Sequence, residues 1–443
     1  MIDWYVILFV AITLLIFYMK EFGEHPDSSR YIQDRVKVPV SAGTTQLLFR
    51  LMTGTFLFIP FYFTITYGYM AGFALAVSGS FILYVFSTQV EELSGKITII
   101  EDRYQFLKSK FTKKGLLAFY GLMMVAAAEG LIISTMLAHE FLKQVFGISS
   151  FMAAMPILFF SFIFAGMGGI RGMRKIGTWL IMMFFIGISV IPLSAFLING
   201  AKPIYITLFA ENSTNLDIKH LLIGALLFMP VLAGHLMVYF FMSHDLMSIK
   251  RNRVRISIGL SSICWSSIPL AISLIVLYLL AITGSKTTEG LLAGLQEHMP
   301  VSLVYILVFV VLSSLATGIG LSLYRMSSML LTAYKGKAAV QRGYFFSMLL
   351  CAIPITLLKA LPGALELSII FYANLFAALG FPIWVTIKSK IIWGADFGFV
   401  LFSSVLMGSW ISFKNDWMIG VPVSIGLSSL IALILLVRNI RKV

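Results

Sequence analysis

The sequence predicts an all-α polytopic membrane protein with about 13 transmembrane helices, ten of them arranged as a five-plus-five inverted repeat with helices 2 and 7 broken. Three observations predict it. Hydrophobic residues make up 59% of the 443-residue chain and charged residues only 12%, far from a soluble domain. The apolar residues fall into stretches of about 20, the length that crosses a bilayer. The third observation is the charge pattern. Of the 33 Lys and Arg, 26 lie in or beside alternate loops. Lys143, Lys202, Lys219, Lys286, Lys359 and Lys414 lie on the other side, and Arg325 lies within a span. Cytoplasmic loops carry excess Lys and Arg. The pattern therefore predicts an inner-membrane protein with its N-terminus outside and its C-terminus inside.

The spans are read at 4–20, 46–67, 69–90, 116–142, 149–168, 177–198, 219–243, 256–283, 301–334, 342–361, 365–387, 391–411 and 417–437. The Met-Ile-Asp-Trp start has no basic n-region and no small-residue cleavage site, so the first span is expected to be a retained helix. The main cytoplasmic loops, 20–45 and 91–115, hold Lys20, Arg30, Arg35, Lys37, Lys96, Arg103, Lys108, Lys110, Lys113 and Lys114. Arg171, Arg174 and Lys175, then Lys250, Arg251, Arg253 and Arg255, mark two shorter inside loops. The outside loops 199–218 and 284–300 are nearly free of Lys and Arg. No extramembrane segment is long enough for a soluble catalytic or sensor domain, so function lies within or across the bilayer.

Several classes fall away. The net charge of +14 follows from the basic inside loops, and nucleic acid is not an expected partner. Cys264 and Cys351 both lie in apolar spans, which supports neither a disulfide framework nor a Cys-based metal site. No span alternates in the rhythm of an outer-membrane barrel. A membrane enzyme needs a nucleophile, a base or metal ligands at a cavity. The chain has no HExxH, no Cys/His cluster and no GxSxG.

Two spans are interrupted. Span 2 contains Thr53-Gly54-Thr55 and then Pro60, and span 7 contains Met229-Pro230 and then Gly234-His235. Gly and Pro free backbone groups that need other partners in a membrane. Breaks at corresponding places in two halves point to a transporter binding site. Spans 2 and 7 are five apart and run oppositely, which divides the chain into four parts. Residues 1–45 hold the first helix and a cytoplasmic loop, 46–198 form repeat one, 219–387 form repeat two, and 391–443 hold accessory helices 12 and 13. The plainer reading is that Gly and Pro are common in membrane helices.

Polar residues inside the spans narrow the site. At 1.5 Å per residue, Thr53-Gly54-Thr55 lie ~10–14 Å from the inner surface and Thr317-Gly318 ~24 Å from the outer. Both therefore fall in the inner half and can face each other. Glu129 lies ~20 Å deep in span 4. An ionisable residue at that depth is a functional candidate, and apolar burial favours its protonated form, which makes Glu129 a candidate for proton or substrate coupling. The alternative is a neutral carboxylic acid tying two helices together. His235, just past the span 7 interruption, suits substrate binding or a proton relay, or else packing. Glu129 and His235 can pair if spans 4 and 7 pack together. Tyr372 and Asn374 in span 11 are candidates to line the pathway. Phe56 begins an aromatic run to Phe63 that is either packing or an apolar pocket wall. Arg325 is expected to snorkel from the inner end of span 9, and Asp396 to be structural. His139-Glu140 and His244-Asp245 are read as interfacial.

Several segments taken together suggest a family. Ile97 to Leu107, with Lys110-Phe111 before a helix that ends Phe141-Leu142-Lys143-Gln144-Val145-Phe146-Gly147-Ile148-Ser149, resembles a cytoplasmic segment and helix of the sodium/solute symporter family. Gly166 to Met173 is similar to that family's turn after its fifth helix, and Tyr67 to Gly72 to its exit from the second. Ser327-Ser328 and Tyr334 fall where its ninth helix ends. The resemblance covers about residues 1–390. It implies the thirteen-helix layout, import by alternating access and a coupling ion.

The departures carry information too. The family's acid and amide after the Gly-Gly turn are replaced at Ile176, Gly177 and Leu180, and its seventh-helix polar motif by Gly234, His235, Tyr239 and Phe240. Sugar-contacting positions align with Thr55 and Phe56, which argues against a sugar. The family's sodium site maps onto the carbonyls of Phe49, Met52 and Ser314 and the side-chain positions of Thr317 and Gly318. One of its two hydroxyls is missing, so the resemblance leaves either Na+ at a reduced site or H+ through Glu129 as coupling ion. A hydroxyl at Thr317 otherwise bonds the preceding turn. The leading expectation is a secondary active transporter of a small organic solute, with no cofactor besides the coupling ion. The other reading is a non-transporting receptor or regulatory membrane subunit on the same fold.

Overall fold

The computed structural model describes Tyr31 and residues 39–68, 70–94, 100–148, 151–200, Lys202, 218–242, Ile249, 251–331, 337–361, 363–389 and 391–440. The expected first span, the basic residues Lys20 to Lys37, most of loop 199–218, His244-Asp245 and Tyr334 lie outside the described residues.

The chain is an all-α polytopic membrane protein. The first described helices are α1 (Val40–Leu51), α2 (Gly54–Tyr67) and α3 (Met70–Ser94). A short amphipathic α4 (Ile100–Lys110) leads into α5 (Lys113–Ala127) and α6 (Glu129–Phe146). Then come α7 (Met155–Ser161), a π-helical turn over Phe162–Met167, and the long α8 (Gly169–Asn199). The second half has α9 (Ile218–Met242), α10 (Arg251–Thr283), the short α11 (Thr288–Ala293) and α12 (Leu295–His298), and α13 (Val301–Leu331). It closes with α14 (Lys337–Ala360), α15 (Ala364–Lys388), α16 (Asp396–Lys414) and α17 (Trp417–Ile440). Among the described residues up to eleven spans are long and apolar enough to cross a membrane, counting α1–α2 as one bent span and α5–α6 as one, and Met155–Met167 is a shorter apolar helix.

α13 is the axis of the bundle. Its side chains from Leu312 to Ser328 are buried without interruption, and it packs on α6, α8, α14 and the π-helical turn. α3 lies along α10 and α9, α9 lies along α15, and α16 and α17 pack on one another and on α15. Outward faces stay apolar: Leu117, Phe159, Leu193 and Phe399 are exposed, as expected where the solvent is lipid.

Among the described residues, the one membrane span made of two helices that meet at a sharp bend is α1–α2, at 59°. The cause of the bend is local. Thr53 is extended (φ −88°, ψ 163°), so the groups around it lose their intrahelical partners. In a bilayer those partners must come from protein. The Gly54 amide donates to Ser134 Oγ at 3.1 Å, and the Met52 carbonyl accepts from Ser314 Oγ at 3.2 Å and Thr317 Oγ1 at 3.1 Å. Gly54 is needed for closeness, since a Cβ there would stand 2.9 Å from Ser134 Oγ, Leu137 Cδ1 and Leu315 Cδ2.

The expected break in helix 7 is not present. α9 runs unbroken from Ile218 to Met242 with Pro230 inside it. A proline removes one backbone donor, a small loss beside the packing that holds this helix. A Cβ on Gly234 would fall 1.8 Å from the Phe376 carbonyl oxygen. Gly234 therefore serves helix contact, with α9 pressed backbone to backbone on α15, and not interruption.

Candidate functional site

Glu129 opens α6, directly after the tightened turn at Ala128, whose amide bonds both Met124 and Val125 carbonyls at 3.1 Å. The carboxylate is buried and faces the bend. Its Oε1 accepts from the Thr55 hydroxyl, in a short contact, and from Thr53 Oγ1 at 3.4 Å. Its Oε2 stands 3.9 Å from His235 Nε2. The interruption in span 2 thus presents two hydroxyls to one carboxylate, and α9 presents an imidazole to its far side. The two ionisable residues that can pair on paper do meet in the structure.

Aromatic rings close in on His235. Phe56 and Phe376 meet the imidazole edge-on at centroid distances of 4.9 and 5.0 Å. Phe228 stacks on Trp265 at 6.1 Å, and Phe56 meets both edge-on. His235 Nδ1 is buried and has no hydrogen-bond partner among the described residues. Tyr372 is buried, stacks on Phe376 at 6.1 Å, and lies within electrostatic reach of Glu129.

Asn374 belongs elsewhere. Its amide donates to the Ile370 carbonyl at 2.8 Å and Ser412 Oγ at 3.0 Å, and its oxygen accepts from Ser424 Oγ at 2.7 Å. Ser412 and Ser424 tie α15 to α16 and α17, so Asn374 is a buried bolt between helices. It lies two residues from both Tyr372 and Phe376, about 200° around the helix, which turns it to the opposite face.

Arg325 is also placed differently from expectation. It does not snorkel: it is 3% exposed. Its guanidinium lies over the Tyr239 ring at 5.0 Å, and Arg50, also buried, lies over the same ring at 5.1 Å and over Tyr324 at 5.9 Å. Cation–π contact of this kind holds a charge in apolar surroundings. Arg325 lies within electrostatic reach of both Glu129 and His235. In the sequence Arg50 is one of the 26 basic residues in or beside the inside loops, and neither arginine's role was signalled there.

The oxygen set that the sequence maps to a sodium site does converge in part. The Met52 carbonyl, Ser314 Oγ and Thr317 Oγ1 are joined by hydrogen bonds, and Thr317 Oγ1 also donates to the Ser314 carbonyl at 2.6 Å. Gly318 adds no side-chain oxygen. A Cβ there would stand 2.6 Å from Ser134 Oγ and 3.3 Å from Thr53 Cα, so Ser134 occupies the space a second hydroxyl on α13 would need. Phe49 is buried, with its ring in the notch that Gly177 leaves on α8. Ser134 is the residue that sequence reasoning missed. It lies five residues after Glu129 on α6, about 140° around the helix, so helical spacing did not group the two.

Above the bend, on the side away from the basic loops, opens a cavity of about 320 Å³. Gly54 is at its floor. The aromatic run on α2 divides. Phe58 and Phe61 line this cavity, whereas Phe56 and Phe63 are buried in the protein interior. The wall contact expected of Phe56 is therefore made by its neighbours on the other face of the same helix.

No protein-family model matches the sequence, and neither does any curated protein. Solved structures do match. Over 98% of both chains, at 14% identity and a TM-score of 0.71, the chain is similar to a Na+-coupled sialic acid symporter in a substrate-bound outward-open state. Its fold is one that transporters use. Over 92% of this chain and 97% of the other, at 13% identity and a TM-score of 0.57, it is also similar to the Eremococcus coleocola manganese transporter in complex with an aromatic bis-isothiourea substituted compound. A mutant of the same transporter matches at 14% identity and a TM-score of 0.56.

Proposed function

We propose that this chain is a secondary active transporter of a small organic solute, working by alternating access and coupled to protons. The observation that carries this reading is the Thr55–Glu129–His235 constellation at the bend between α1 and α2. Glu129 and His235 are both buried and stand just beyond hydrogen-bonding distance of one another. Small movements at the bend would make or break that contact, which is how occupancy of a neighbouring site can change proton affinity. In this reading residues 46–198 and 219–387 are the two inverted repeats, 1–45 and 391–443 are additions, and the protein lies in the cytoplasmic membrane with its N-terminus outside.

Protons are preferred to sodium for a physical reason. The oxygens around Met52 are engaged with one another, and Gly318 contributes no side-chain oxygen. A carboxylate beside an imidazole is instead chemistry suited to proton transfer.

The test is a proteoliposome with an internal pH dye, challenged with a library of small solutes under an imposed pH gradient. The expected result is that a solute drives proton uptake, and that Glu129→Gln abolishes this while the protein stays folded. Solute flux that follows a sodium gradient and ignores both the pH gradient and Glu129→Gln would overturn the coupling. Failure of every solute to cross, with a partner protein copurifying stoichiometrically, would replace transport with a receptor role.

A further inference from the structure

We propose that the solute is a lipophilic amine, with an aromatic or branched aliphatic body and one cationic nitrogen. This rests on the transport reading above and on the cavity over Gly54. Helices α2, α8, α10 and α13 each turn an apolar stripe to that cavity, and α6 turns Leu137 and Phe141 to it together with Glu140 and Gln144. On α2 the stripe is Gly54, Leu57, Phe58 and Phe61, and on α10 it is Ile272, Ile275 and Leu279. These are the three- and four-residue spacings of single helix faces. The volume of about 320 Å³ lies at the small end of ligand cavities.

Charge within the cavity has one sign. Among the described residues, the ionisable ones on its wall are Glu140 and Glu289, with no Lys, Arg or His. Glu140 is engaged by Lys143 Nζ at 3.2 Å and by Gln144 Nε2 at 3.0 Å, while Glu289 is exposed at the mouth. At the floor, the residues on either side of Gly54 hold the Glu129 carboxylate. A solute passing through meets carboxylates first and last, with hydrocarbon between.

Three solute classes fare differently there. A sugar or polyol would set several hydroxyls against Leu, Ile and Phe walls without partners, and unpaired burial of polar groups is costly. An organic acid would meet like charge at the mouth and at the floor. An amine on an apolar body sets its body against the walls, where transfer from water is favourable. Its nitrogen gains the faces of Phe58 and Phe61 on the way in and a carboxylate at either end.

The experiment is calorimetric titration of the purified full chain in lipid nanodiscs with three probes: phenethylamine, the near-isosteric acid hydrocinnamate, and sorbitol. Phenethylamine is expected to bind and the other two are not. Ile275→Trp and Leu279→Trp, two independent cavity fillings, should each weaken phenethylamine about tenfold or more, a loss of about 1.4 kcal/mol. Binding of hydrocinnamate or sorbitol as tight as the amine would overturn the proposal. So would amine binding unchanged in both tryptophan variants, or no amine binding in the wild type. If the amine binds in the cavity yet never crosses proteoliposomes, the substrate class stands and the transport reading fails. If an acid or a sugar is carried, the transport reading stands and the substrate class fails.

Discussion

His235 Nε2 lies 3.9 Å from Glu129 Oε2, with both side chains 3% exposed. That gap exceeds a hydrogen bond by about 1 Å, so a rotation of α6 or a shift of α9 by that amount decides whether the two groups share a proton. Thr55 and Thr53 hold the opposite carboxylate oxygen, which leaves Oε2 as the oxygen free to exchange partners.

Glu129→Gln keeps an oxygen for Thr55 but cannot ionise. Thermal stability in detergent should change little. Solute-driven proton uptake should vanish, and any remaining solute flux should lose its dependence on pH. Flux with an unaltered pH profile would remove Glu129 from the coupling step.

Thr55→Val deletes the donor to Oε1 and leaves a buried acceptor short of a partner. The expected cost is about 1–3 kcal/mol, read as a fall in unfolding temperature, with Thr55→Ser restoring most of it. If valine is as stable as threonine, the hydroxyl is not holding the carboxylate.

Gly234→Ala puts a methyl group where the Phe376 carbonyl already is. Overpacking of this kind costs about 1–3 kcal/mol or more. A Cβ on Gly259 of α10 would meet nothing within 4 Å, so Gly259→Ala should be neutral or mildly stabilising. Equal unfolding temperatures for the two variants would argue against close α9–α15 contact.

Gly318→Ser tests the sodium question. The new side chain competes with Ser134 for one space, so the single variant should lose stability and gain no radiosodium binding. Adding Ser134→Ala should recover stability, a coupling that a double-mutant cycle measures. Additive losses would show that the two side chains do not compete.

Asn374→Ala should destabilise by about 1–3 kcal/mol, because it removes the hydrogen bonds to Ser412 and Ser424 that join three helices. Solute flux per folded molecule should be kept. A selective loss of flux would return Asn374 to the pathway.

Much of this was legible from the chain, for physical reasons. A bilayer imposes a length on every span, so the order of the described spans could be read as hydropathy alone. Thr53, Glu129 and His235 stood out because polar groups are costly among Leu, Ile and Phe. That they meet was not legible, since lateral neighbours depend on packing between spans far apart in sequence. Pro230 misled because a missing donor says nothing about how firmly Gly234 seats its helix on Phe376. Ser134 went unseen because a serine in a membrane helix usually bonds its own preceding turn, and only the structure shows it capping a freed amide on α2. Arg325 misled because position near a helix end suggested a route to water, while Tyr239 offered its ring instead.

The span made of α1 and α2 is jointed and α9 is not. α1 is 12 residues long and meets α2 at the Met52–Thr53 bend, whereas α9 runs straight through. A rod of that length spans ~18 Å, so a tilt of ~20° about its far end sweeps Val40 through ~6 Å. α9, locked to α15 at Gly234 and Phe376, has no comparable lever. In the transport reading proposed above, a motion that uncovers the site from the basic side would therefore be lopsided, with one arm swinging while the opposite helix serves as its fixed post.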